Sequence, residues 1–195
     1  IPREESEILV DQAIINLSNS TKHNLKVLEL GVGSGAIISS ILLSTSKSIS
    51  AMATDYCPEA LLTAKNNSIR LGVDVTFKQG DWWDALNSNE DGPFDLIITN
   101  PPYVGTKKLK GKDTLSGFEP SISLYGKEPS KSGTNDAMKI IRGASDWIED
   151  DGKLLIEHGF NQRKILSDFA ISEGFFVLEQ IDDPAGLPRV LMLGK

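Results

Sequence analysis

The sequence predicts an α/β fold in which seven strands form a mostly parallel sheet with an antiparallel last strand and helices on both faces. Three observations carry that prediction. Short apolar runs alternate with segments at helical spacing through most of the 195 residues. The first apolar run passes directly into Gly31-Val32-Gly33-Ser34-Gly35 and a helical pattern, the opening of a nucleotide-binding βαβ unit. The last two runs have no helix-length segment between them and therefore pair as a hairpin.

Taken in order, residues Glu5 to Leu17 place Ile8, Leu9, Ala13, Ile14 and Leu17 on one helical stripe, with acidic residues in the first turn where the helix dipole favours them. Lys26 to Leu30 is a strand, and Ala36 to Leu43 is the helix behind the glycine turn. Ile49 to Thr54 is the second strand, with Asp55 at its end. Pro58 at a first-turn position opens a helix that stops near Gly72. Val73 to Lys78 is the third strand, followed by Gly80-Asp81-Trp82. The polar turn Asn87 to Pro93 leads into the fourth strand, Phe94 to Thr99, and then into Asn100-Pro101-Pro102-Tyr103. Asp136 to Ile148 reads as a helix, Lys153 to Glu157 as a strand and Gln162 to Glu173 as a helix. Phe175 to Ile181 and Arg189 to Leu193 complete the sheet.

Residues 104–133 contain five glycines, two prolines and six lysines. A connection that long inside a compact domain is usually functional, so it is expected to be a lid or substrate loop. No linker or repeat divides the chain, which reads as one domain over 1–195 with an opening helical segment at 1–20.

Composition narrows the function classes. At 39% hydrophobic, the chain is long enough for one well-buried core. A net charge of -7 and a pI near 4.9 argue against a broad nucleic-acid footprint, which needs a basic face. One cysteine, Cys57, excludes an internal disulfide, and with only His23 and His158 a zinc cluster is not expected. No apolar run reaches the length of a membrane span. A monomer in the cytoplasm, or another reducing compartment, is the expectation.

The chemistry-bearing residues collect at strand ends. Asn100 offers a side-chain amide, and the two prolines stiffen the turn and leave its carbonyls without a neighbouring donor. Glycines at 31, 33 and 35 let a ligand approach the backbone. Gly31-x-Gly33-x-x-Ala36 with Asp55 also fits the dinucleotide pattern. Glu29, however, would repel a pyrophosphate and attract the ammonium of a methionine moiety. Asp81 can accept from an adenine amino group while the indole of Trp82 covers its ring.

Glu29-Leu-Gly31-Val-Gly33-Ser-Gly35, Asp55, Gly80-Asp81-Trp82 and Asn100-Pro-Pro-Tyr103 together resemble a class I S-adenosylmethionine-dependent methyltransferase, whose sheet is Rossmann-like. Within that class the chain resembles the PrmC/HemK family, which methylates the glutamine amide of the Gly-Gly-Gln motif in peptide chain release factors. Ile1-Pro2-Arg3-Glu4-Glu5-Ser6-Glu7 is similar to that family's opening segment, with Glu4 and Ser6 where it has proline and threonine. Phe118-Glu119-Pro120, and Ile156-Glu157-His158-Gly159 with Gln162, extend the similarity over essentially the whole chain. The turn Asn87 to Pro93 is larger than usual. The resemblance implies S-adenosylmethionine as cofactor, S-adenosylhomocysteine as its product, a release factor as protein partner, and a small helical domain that this chain lacks. It also implies cofactor contacts from Glu29, the three glycines, Asp55, Asp81, Trp82 and Asn100, and catalysis at Asn100 to Tyr103.

At that turn the Asn100 side-chain oxygen and the Pro101 carbonyl can hold both hydrogens of a substrate NH2, while Tyr103 packs against it. Any planar NH2 suits that pair. An adenine-N6 nucleic-acid methyltransferase is therefore the alternative, favoured by lysines 107, 108, 110 and 112 and opposed by net charge. A nicotinamide oxidoreductase would leave the Asn-Pro-Pro-Tyr turn without a purpose, and the intact site residues oppose a non-catalytic subunit.

Overall fold

The computed structural model describes residues 5–106 and 121–195. Ile1 to Glu4, the lysines at 107, 108, 110 and 112, and Phe118-Glu119-Pro120 lie outside the described residues.

Helix α1 (Glu5–Asn19) leads into β1 (Asn24–Leu30), α2 (Ala36–Ser44), β2 (Ser48–Asp55), α3 (Pro58–Leu71) and β3 (Thr76–Gln79). After a 3-10 turn at Trp82–Ala85 come β4 (Phe94–Thr99), α4 (Ser121–Tyr125), α5 (Asn135–Ala144) and β5 (Ile148–Glu157). The chain ends with α6 (Arg163–Ser172), β6 (Phe176–Asp182) and β7 (Pro188–Gly194). The seven strands form one sheet in the order β3-β2-β1-β4-β5-β7-β6. Strand β7 inserts between β5 and β6 and runs antiparallel to both, while every other pairing is parallel.

Strands β1 and β4 are apolar on both faces because both faces are covered. Val27, Leu96 and Ile98 pack with Leu9, Ala13, Ile38 and Ile41 on one side. Leu28, Leu30 and Ile97 pack with Ile140, Ile141, Leu154 and Leu166 on the other. Burying each such side chain contributes roughly 1.5–3 kcal/mol, which fixes the alternation and hence the register. That register carries the site. The order of strands reverses at β1 and β4, so a crevice opens beyond their carboxyl ends.

Three elements differ from the sequence reading. Strand β3 begins at Thr76 and not at Val73, because the amides of Gly72 and Val73 close the end of α3 by donating to Ile69 and Ser68 carbonyls. Helix α5 stops at Ala144, four residues short of Ile148. There the Phe94 amide donates to the Trp147 carbonyl at 2.7 Å, Trp147 stacks on Trp83, and Ile148 joins the sheet opposite Phe94. The register then shifts so that Leu96 faces Lys153, and Gly152 makes room, since a Cβ there would meet Ile148 at 2.7 Å. Within the long loop, Ser121–Tyr125 is a short helix.

No helix among the described residues is long and apolar enough to cross a membrane.

Candidate active site

Register alone gathers the predicted site residues. Leu30 pairs with Thr54 on one side and Thr99 on the other, and Asp55 pairs with Gln79. The residues that follow, Gly31, Asp55, Asn100 and Gly80, therefore leave the sheet along one edge. They line a cavity of ≈ 740 Å³ with Glu29, Gly33, Asp81, Trp82, Pro101, Pro102 and Tyr103.

The turn is held by backbone bonds to β2. The amides of Gly31 and Val32 both donate to the Thr54 carbonyl at 2.9 Å, and the Gly33 amide donates to Asp55 Oδ2 at 2.9 Å. Asp55 Oδ1 accepts from the Cys57 amide, also at 2.9 Å. A carboxylate has about four acceptor sites, so this one can still receive two ribose hydroxyls. Gly33 has φ +54°, and a Cβ built there would meet nothing within 4 Å, as a ligand-facing position requires. Gly35, expected among the cofactor contacts, stands behind the turn and does not line the cavity. Its φ is +77°, and a Cβ on it would sit 3.1 Å from that of Ala64, so it lets α2 approach α3.

Glu29 is 1% exposed and accepts from the Ile38 amide at 3.0 Å. Burial pushes its carboxyl up to about 8, opposed by the Ile38 bond and assisted by the nearby charge of Asp55. A buried acid at the cavity wall, raised by desolvation, is suited to receive a cation.

At the far end, Trp82 holds a left-handed φ of 53°, uncommon for a residue with a bulky side chain. Its Nε1–H donates to Asp136 Oδ1 at 3.1 Å, and its ring lies 3.2 Å from where a Cβ on Gly31 would stand. Burial raises the Asp136 carboxyl, with the Trp82 bond opposing. Asp81, expected to receive an adenine amino group, accepts from Lys127 at 3.0 Å and faces Lys139 at 3.4 Å. Partial burial raises its carboxyl, but the two lysines outweigh that and leave it below the usual carboxylate range. The Lys127 ammonium also lies 4.2 Å from the centre of the Tyr56 ring.

Asn100 Nδ2 donates to Ser6 Oγ at 3.1 Å. The Tyr103 carbonyl accepts from Gln162 Nε2 at 2.9 Å, and the same nitrogen donates to the Ser132 carbonyl at 2.7 Å. Gln162 thus ties the turn to the end of the long loop, where Gly133, φ +72°, passes against the Tyr103 carbonyl too closely for any Cβ. Sequence reasoning gave no site role to Tyr56, Lys127 or Asp136. Tyr56 had a signal, since it follows Asp55 directly at a strand end. For Lys127 and Asp136 there was none, because each depends on a long-range contact.

The Methyltransferase domain family matches residues 21–173. A release factor glutamine methyltransferase from Neisseria gonorrhoeae is 36% identical, over all of this chain and 68% of that protein. One from Buchnera aphidicola is 34% identical over 97% of this chain and 66% of its own length. The chain thus spans about two thirds of the length of these relatives. Among solved structures, a ribosomal protein L11 methylase from Lactobacillus delbrueckii superposes with a TM-score of 0.69 at 17% identity, over 99% of this chain and 80% of that one. A methyltransferase from Pyrococcus furiosus gives 0.64 at 19% identity, over 94% and 81%. These two share the fold. With the identity to the curated relatives and the cavity at the reversal of strand order, the comparisons lead to one conclusion: the chain belongs to the release factor glutamine methyltransferase family.

Proposed function

We propose that this chain methylates the side-chain amide nitrogen of the glutamine in a release factor's Gly-Gly-Gln motif, with S-adenosylmethionine as donor. The observation that carries the reading is the placing of Asn100 and Gly31 directly after the paired residues Thr99 and Leu30, which puts an amide acceptor beside the glycine turn.

The residues present fit such a donor. Glu29 is a buried carboxyl that an adjacent ammonium would draw into its ionised form, Asp55 has acceptor capacity for ribose hydroxyls, and Gly33 leaves space at the turn. Asp81 is an acceptor for the adenine amino group once Lys127 gives way. When bound, S-adenosylmethionine supplies a methyl carbon made electrophilic by its sulfonium.

An amide nitrogen is a poor nucleophile because its lone pair is delocalised, so orientation has to supply much of the rate, up to ~7–11 kcal/mol for well-held reactants. Asn100 Oδ1 and the Pro101 carbonyl accept the two hydrogens of the glutamine NH2 and aim its nitrogen. They also stabilise the positive charge that grows there as the nitrogen–carbon bond forms and the carbon–sulfur bond breaks. The surplus proton leaves to a carbonyl or to water, and no general base is assigned. We read the enzyme as a cytoplasmic monomer whose partner is a protein; relatives named for release factors, and a net charge of -7, support a protein over a nucleic acid.

The test is incubation with methyl-labelled donor and either a release factor or adenine-containing DNA. Label is expected on glutamine; label on adenine and none on glutamine would overturn the proposal. Asn100→Ala is expected to abolish transfer while the donor still binds by calorimetry, where NAD should have no comparable affinity.

A further inference from the structure

Three groups far apart in sequence meet behind the Asn-Pro-Pro-Tyr turn. Ser6, in the first turn of α1, donates its hydroxyl proton to Glu157 Oε2 at 2.9 Å, and its oxygen accepts from Asn100 Nδ2 at 3.1 Å. Glu157 is fully buried and Ser6 is 8% exposed. Strand register brings Glu157 there, since Thr99 pairs with Ile156 and the next residues, Asn100 and Glu157, emerge side by side.

With Glu157 ionised, the polarity of this chain follows from counting protons. A carboxylate only accepts, whereas a hydroxyl has one proton and two lone pairs. With its proton committed to Glu157, Ser6 has only lone pairs left for Asn100, and only the NH2 prong of that amide can use them. The reverse orientation would set two oxygens against each other with no proton between them, which is costly for buried groups. Nδ2 is thereby held toward Ser6, leaving Oδ1 as the remaining prong of a residue that lines the cavity. The distinction matters because a flipped amide would present hydrogens to a substrate that itself brings hydrogens.

We propose that Ser6, polarised by Glu157, is a positioning residue that fixes the Asn100 amide with its oxygen toward the substrate NH2. This rests on the methyl-transfer reading above and adds residues to it that the sequence motif does not contain. The simpler role for the contact is to dock α1 on the sheet, and the two roles separate experimentally.

Ser6→Ala leaves the Asn100 amide able to rotate. Its kcat on a release factor, assayed well below the melting temperature, is expected to fall on the order of 10-fold or more, with donor Kd unchanged within about twofold, and its melting temperature is expected to drop because Glu157 loses a buried donor. Ser6→Thr keeps the hydroxyl and should restore most of the rate. A docking role alone would lower stability but leave kcat of the folded enzyme, measured well below its melting temperature, near that of the parent. Independently of activity, NMR of asparagine-labelled protein should show the Asn100 Nδ2 protons shifting and exchanging faster with solvent in Ser6→Ala. An unchanged kcat in an otherwise active enzyme, or unchanged Nδ2 exchange, overturns the inference. If the parent protein transfers no methyl to a release factor, the functional reading fails, and the NMR comparison alone still decides whether Ser6 orients Asn100.

Discussion

Glu29 and Ile38 meet across the glycine turn, the carboxyl oxygen accepting the backbone amide at 3.0 Å while only 1% of the acid is exposed. That single bond does not compensate for the lost hydration. Burial, first of all, pushes the Glu29 carboxyl up to about 8 from its ordinary 4.5.

The consequence for stability has a definite sign. Between about 4.5 and about 8 the folded protein keeps a proton that the unfolded chain releases, so stability from this group falls as pH rises through that window. The slope is at most ~1.4 kcal/mol per pH unit. Glu29→Gln keeps an acceptor for the Ile38 amide and removes the titration. The ligand-free variant is expected to melt higher than the parent at pH 8.5 and nearly level with it at pH 4.5. Scans at the two pH values check this, and equal melting curves at both would refute it.

Ligand binding should reverse that state. An ammonium placed beside Glu29 favours the carboxylate, so binding of S-adenosylhomocysteine near pH 7 is expected to release a proton. Calorimetry in buffers of different ionisation enthalpy measures it. Methylthioadenosine, which lacks the amino-acid part, should release none. The same proton count for both ligands would remove Glu29 from the ammonium site.

Lys127 makes the adenine end of the cavity a competition. Its ammonium sits 3.0 Å from Asp81, the acceptor proposed for the adenine amino group, and against the Tyr56 ring. Both partners are partly exposed, so the contact is screened and weak. Lys127→Ala is expected to tighten donor binding by roughly two- to fivefold. Isothermal titration decides the matter, and weaker binding by the variant would make Lys127 part of the bound state.

Gln162 uses both ends of its amide, donating to Tyr103 and Ser132 carbonyls and accepting from the Gly159 amide at 2.8 Å. It is 3% exposed. Gln162→Glu cannot donate to the two carbonyls and should destabilise the protein by ~1–3 kcal/mol, with a drop in kcat larger than any change in donor affinity because Tyr103 loses its tether. Denaturation and single-turnover assays would expose an intact protein with full activity, the result that contradicts this role.

Much of this site could be read from local pattern. Leu28 to Gly35 and Phe94 to Tyr103 are strands running straight into their turns, and apolar runs ending in glycine, acid or proline mark the edge where ligands bind. The partners of those residues could not be read that way. Ser6 and Glu157 are 151 positions apart, and Gln162 and Tyr103 are 59 apart. Such contacts follow from register and helix docking, which periodicity does not encode. The spacing predicts too long a helix at α5 for a related reason, since Trp147 and Ile148 continue its apolar pattern but are drawn off by Trp83 and Phe94.

Gly33 and Gly35 look alike in the motif and differ in what surrounds them. Both have positive φ, so alanine at either carries a backbone cost of roughly 1–2 kcal/mol. At Gly33 the new methyl meets nothing within 4 Å, and the cost to folding stops there. At Gly35 it presses on the Ala64 Cβ at 3.1 Å and Cα at 3.3 Å, and an α-helix backbone cannot give way without moving α3. Gly35→Ala is therefore expected to destabilise the fold by ~1–3 kcal/mol more than Gly33→Ala. Gly33→Ala places its methyl where a ligand must approach the turn, so its donor affinity should fall at least tenfold while its melting temperature drops little. Paired thermal and titration measurements on the two variants separate these roles. If Gly35→Ala weakened donor binding more than Gly33→Ala at equal stability, the turn would contact its ligand through the third glycine and not the second.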